Sequence, residues 1–127
     1  FSLAIFTGFF GLSTTASKGI DIQHVQLSGV RDPIEPRPGV SVKSHNYRIE
    51  LAALKGLSYP TGTQRPLVLF RQVSHGSFEY HVLMPTSPGY SQVSTLLAKH
   101  AGPVGRRMRR PQLPATVVHA AWPKCPI

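Results

Sequence analysis

The sequence predicts a mainly β protein of one domain, an antiparallel barrel or closed sandwich with a helix at one end. Three observations predict it. Short apolar runs recur along the chain with the two-residue alternation of strands, or as unbroken runs of strand length. Twelve Pro and 11 Gly fall largely between those runs, as turns between many short elements require. Only one segment carries a clear helical period, so strands do not alternate with helices and a βαβ parallel sheet is not expected. A length of 127 residues fits one domain. It is also long enough to bury a hydrophobic core, for which six Phe, four Tyr and one Trp are the natural anchors.

The elements are expected as follows. Ser2–Thr7 is an apolar strand ending at Gly8, and Thr14–Lys18 is a small-residue loop. Ile20–Leu27 is extended, and the change of phase from Ile20 and Ile22 to Val25 and Leu27 puts a bulge or bend near His24. Ser28–Gly39 reads as a Pro-rich basic loop. Asn46–Leu51 alternates, with Tyr47, Ile49 and Leu51 on one face and Asn46, Arg48 and Glu50 on the other. Gly56–Arg65 is a loop. Leu67–Val73 and Phe78–Met84 are strands joined through Ser74–Ser77 as a hairpin. Phe78, Tyr80, Val82 and Met84 should point inward and His81 outward. Ser87 then serves as N-cap and Pro88 as first residue of a helix whose apolar face is Tyr90, Val93, Leu96 and Leu97. Gly102 and Pro103 stop it. Pro114–Ala121 forms one or two further helical turns. The total is six or seven strands.

Charge narrows the functional classes. Fourteen Lys and Arg face five Asp and Glu, a formal net charge of +9, which points to a polyanionic partner. Acids are few and scattered: Asp21, Asp32, Glu35, Glu50 and Glu79. Two-metal nucleases and glycosidases need clustered carboxylates, and only Asp32 and Glu35 are neighbours. The six histidines show no zinc-finger spacing and no HxxxH pair, so neither a metal site nor a cofactor is expected. GxSxG, P-loop and GxGxxG motifs are absent, and no catalytic residue is assigned.

Two basic segments carry the binding expectation. One is Arg106-Arg107-Met108-Arg109-Arg110, set between Gly105 and Pro111. Arg reaches phosphates bidentately and reads guanine edges; Met108 is expected to tuck inward and split the arginines between two directions. The other runs through Arg31, Arg37, Lys43, Ser44, His45, Asn46 and Arg48. There Asn46 suits adenine, while Ser44, His45 and Lys43 suit phosphates or base edges. Lys18, before Gly19, adds a phosphate contact. Tyr59, before Pro60, is a stacking surface or simply part of a turn. Trp122 is expected to anchor the core.

The order of these features resembles the C-terminal domains of phospholipase D-type restriction endonucleases. The shared features are an apolar strand, a small-residue loop, a basic loop into Lys43-Ser44-His45-Asn46-Tyr47-Arg48-Ile49, a hairpin, a helix and an Arg-containing loop. The resemblance implies a B3-like pseudobarrel that grips the major groove of double-stranded DNA with two arms, here the Lys43–Arg48 segment and Arg106–Arg110. It further implies that a nuclease domain belongs to the same parent chain, since no HxK-type nuclease motif occurs here. A start at Phe1 rather than Met agrees with a piece cut from a larger chain. The C-terminal Ala-Ala-Trp-Pro-Lys-Cys-Pro-Ile matches no element of that family.

Other classes stay open at this level. An RNA-binding or ribosome-associated small β-barrel fits the same charge, as does a subunit whose basic face meets an acidic protein. An enzyme using His45 or Cys125 is a further class. The single cysteine, Cys125, cannot form an internal disulfide, so a cytoplasmic setting is expected. The apolar opening stretch is shorter than the roughly 20 residues a membrane span needs, and a basic n-region is missing, so no membrane partner is expected.

Overall fold

The computed structural model describes residues 1–14, 19–25, 34–38, 47–102 and 108–127. They include a four-stranded mixed sheet and several short helices. The strands are β1 (Gly19–His24), β2 (Glu35–Pro38), β3 (Leu67–Ser74) and β4 (Ser77–Leu83), in the order β2-β1-β4-β3. Two α-helices follow, α1 (Tyr90–Ala101) and α2 (Ala115–Ala121). Among the described residues the sheet is open rather than closed, with four strands in place of six or seven. It is not purely antiparallel either. β1 pairs antiparallel with β2 but parallel with β4, Asp21 against Ser77 through His24 against Tyr80. A parallel pair needs a long crossover, and the chain between β1 and β4 supplies one.

The β3–β4 hairpin forms as expected, turning at His75-Gly76 with Gly76 at φ 77°. β4 lies inside the sheet, and side chains of both parities are buried: Phe78 and Tyr80, but also Glu79, His81 and Leu83. The outward placement expected for His81 is therefore wrong; its ring Nδ1 lies against the Val25 carbonyl. A strand covered on both faces loses the alternation that distinguishes inside from outside.

Three other expectations change. Ser2–Thr7 is helical, not extended: residues 3–4 begin a helical turn that continues as a π-helix over Ile5–Phe9. Phe10 N–H bonds Ile5 O at 3.1 Å, and the Thr7 hydroxyl donates back to Leu3 O at 2.9 Å. Short apolar runs do not separate helix from strand by period alone. Glu35–Pro38, expected within a loop, is β2. Pro lacks the N–H a central ladder needs, but β2 is an edge strand, where Pro is tolerated. Residues 47–51 do not form a strand beyond a single bridge at Arg48. Burial still alternates there, with Tyr47 inside and Arg48 and Glu50 outside, so the pattern recorded a packed face without a ladder.

The chain divides into two compact units. The first, Phe1–Leu57 with Leu69–His81 and Ile127, has an aromatic core. Phe10 packs tilted or edge-on against Phe1, Phe9, Phe70 and Phe78 at centroid separations of 4.9–5.2 Å, and Phe6 lies 5.0 Å from Tyr47. Such pairs add about 0.5–1.5 kcal/mol each beyond their burial. Glu79, 1% exposed, takes a charge-assisted hydrogen bond from Arg71. The Tyr80 hydroxyl accepts the Ala53 N–H at 3.1 Å and so satisfies the start of a 3-10 turn, Ala52–Leu54.

The second unit, Ser58–Val68 with Val82–Pro126, is built on α1 and α2. Tyr90, Val93 and Leu96 form the buried stripe of α1, with Leu97 half-buried beside them. Gly102 ends the helix as expected, but its start is later. Gly89, at φ 83°, is the N-cap. A left-handed residue there stops the helix from reaching back to Pro88. Ser87 instead shapes the preceding turn, its Oγ accepting the Met84 N–H at 2.9 Å and its carbonyl the Tyr90 N–H at 3.1 Å. Trp122, 4% exposed, lays its ring on Gly89, so it is the core anchor its size predicted. Cys125 is buried.

Candidate nucleic-acid interface

The cations divide unevenly between the two units. The segments of the second unit carry Arg65, Lys99, Arg106, Arg107, Arg109, Arg110 and Lys124, seven Lys and Arg with no acid. The first unit's segments also carry seven, but with all five acids, leaving a net of +2. Seven of the nine net positive charges thus belong to the second unit. Nothing anionic in its own side chains offsets them, and long-range attraction for a polyanion scales with that local excess.

The end of α1 gathers several of these groups. Lys99 and His100 stand exposed in its last turn. Arg109 donates from Nη1 to the Gly102 carbonyl at 3.2 Å, which ties the half-buried Arg109 to the same helix end. The unsatisfied carbonyls of a helix C-terminus carry partial negative charge and attract cations, which is the physical reason they collect there. Arg110 is half-buried, and its Nε has no hydrogen-bond partner. Met108, expected to tuck inward, is 72% exposed instead. Its neighbour Arg109 is the residue turned toward the protein, half-buried and donating to the Gly102 carbonyl.

Of the residues singled out from sequence, Arg37, Arg48, Arg109 and Arg110 are described. Arg37 sits on edge strand β2 and donates to Glu35, whose carboxylate offsets its charge. Arg48 is exposed at its bridge. Lys18, Arg31, Lys43, Ser44, His45, Asn46, Arg106 and Arg107 lie outside the described residues, as do residues 15–18 of the loop expected at Thr14–Lys18. Arg48 belongs to the first unit, Arg109 and Arg110 to the second.

Sequence reasoning passed over Lys99, Lys124 and Arg65. The signal was present: after Glu50 the only acid is Glu79, and that one is buried against Arg71. Reading for gaps between acids, rather than for runs of cations, would have marked the region.

Among the described residues no group of three or more His, Cys, Asp or Glu comes together to hold a metal. None of their helices is long and apolar enough to cross a membrane. In comparisons with known proteins, no family model, no curated protein and no solved structure matches the chain.

Proposed function

We propose that this chain is a DNA-binding module that engages the phosphate backbone through its acid-free second unit and has no catalysis of its own. The observation that supports this reading is the segregation of charge. The segments of this unit carry seven cations and no carboxylate, and Lys99, His100 and Arg109 cluster at one end of α1. Phosphate contacts of this kind release condensed counterions, so affinity falls steeply with salt.

In its finer form the proposal follows the family resemblance. The module is a B3-like pseudobarrel from a cytoplasmic restriction endonuclease and reads double-stranded DNA in the major groove. One arm is Lys43, Ser44, His45, Asn46 and Arg48; the other is Arg106, Arg107, Arg109 and Arg110, with Lys18, Arg31 and Arg37 on phosphates. No cofactor takes part.

The test is a titration of a randomised duplex pool at two salt concentrations, with sequencing of the bound fraction. Steep salt dependence with an enriched short motif supports a sequence-reading module, because phosphate contacts alone enrich nothing. Salt-dependent binding without a motif removes the sequence-reading form. Absence of any shift refutes the proposal.

A further inference from the structure

One exposed feature of the second unit is not explained by phosphate attraction. Tyr59 is 65% exposed, the one aromatic among the exposed large hydrophobic residues described. The exposed Arg65 holds its guanidinium carbon 5.8 Å from the centre of that ring. The loop carrying the pair is pinned from below: the hydroxyl of Tyr90, first residue of α1 and itself buried, donates to the Arg65 carbonyl at 2.7 Å. Pro60 and Pro66 flank the two residues and limit the backbone further. A cation thus lies over one face of a largely exposed aromatic ring, on an anchored loop in a segment without acids.

We infer that Tyr59 and Arg65 form a stacking site for an unpaired nucleobase, with the phosphate of the same nucleotide on Arg65. This rests on the nucleic-acid reading above and adds a second kind of contact to it. The chemistry fits. Every base has a π-face, so an exposed aromatic ring takes bases without regard to sequence, and single-strand-binding proteins combine such rings with basic tracks. Arg contributes both a planar face and a phosphate-binding fork. A solvated Tyr gains little for folding by being held this way, whereas a base covering the ring removes its apolar surface from water. The strand is DNA or RNA; the ring chemistry is common to both.

The test compares wild type, Tyr59→Ala and Tyr59→Phe by fluorescence anisotropy. The probes are labelled thymidine and uridine oligomers of about 12 nucleotides, with inorganic polyphosphate as a base-free polyanion. Tyr59→Ala should weaken binding of the oligomers by about tenfold and leave polyphosphate binding unchanged. Tyr59→Phe should bind as wild type does. The tighter of the two oligomers identifies the strand. If Tyr59→Ala binds the oligomers as well as wild type does, the stacking site is refuted while the charge-based reading stands. Equal losses on oligomers and polyphosphate also refute it, since the ring then acts through structure. If wild type binds neither oligomers, duplex nor polyphosphate, the nucleic-acid reading falls, and this site with it.

Discussion

Replacing Gly89 by Ala tests the packing of the second unit at its tightest point. A Cβ at this position would lie 2.2 Å from Trp122 Cε2, 2.4 Å from Cζ2 and 2.5 Å from Cδ2, where real Cβ atoms essentially never come within 3.0 Å. Two costs combine. The left-handed φ of 83° is unfavourable for an L-residue by about 1–2 kcal/mol. Displacing a buried indole adds the overpacking cost, about 1–3 kcal/mol. The expected loss is about 2–5 kcal/mol, a large part of the roughly 5–15 kcal/mol that a domain typically has. Gly56→Ala is the control, because Gly56 has φ 78° and nothing within 4 Å of an added Cβ; it carries the backbone term alone. Urea unfolding followed by the fluorescence of Trp122, the only tryptophan, measures both. Gly89→Ala should unfold at lower urea than Gly56→Ala, by a difference of about 1–3 kcal/mol at similar m. A difference under about 0.5 kcal/mol would refute the ring-on-glycine packing.

Other outcomes follow from the same geometry. Glu79→Gln removes the buried partner of Arg71, whose side chain is 41% exposed and can rehydrate; a loss of about 1–3 kcal/mol in urea unfolding is expected. Leu83→Ala, at a fully buried position of β4, should cost about 2–5 kcal/mol in the same assay. Tyr90→Phe deletes the donor to the Arg65 carbonyl, costing about 0.5–1.5 kcal/mol and loosening the loop, so oligomer affinity should fall while polyphosphate affinity holds. Lys99→Gln combined with Arg109→Gln should flatten the slope of log affinity against log salt on duplex DNA by about two. Lys55→Gln, an exposed cation of the first unit, should leave that slope unchanged.

Local signals were readable where one physical cause dominated. The β3–β4 hairpin, the apolar stripe of α1, its stop at Gly102 and the short α2 all stand where period and turn chemistry put them. The errors have a common source in tertiary context. Phe6, buried, recurs four residues later as the buried Phe10, a helical spacing, yet the run was short and apolar enough to read as strand. Pro36 and Pro38 argued against a strand, and an edge position removed the objection. Alternation would turn His81 outward on a half-covered strand, whereas β4 is covered on both faces. The parallel pairing of β1 with β4 leaves no local trace at all. For the candidate site, the basic character was legible in composition. Its concentration in one unit was not, because that unit is assembled from two separated segments. The pairing of Arg65 with Tyr59 likewise depends on how the loop closes.

The register of β1 against β4 carries a consequence for how the chain acquires its structure. Asp21 and Ser77 are 56 positions apart, so the ladder that places β1 inside the sheet closes a long loop, and such pairings form late. On a ribosome adding about 5–20 residues per second, β1 waits on the order of 3–10 s for its inner partner to emerge. Until then Ile20 and Ile22, both buried in the finished protein, have at most the short antiparallel strand β2 beside them. The amides of β1 should therefore be among the last protected in pulse-labelled hydrogen exchange during refolding. The β3–β4 hairpin, closed by a two-residue turn, sets the template onto which they dock.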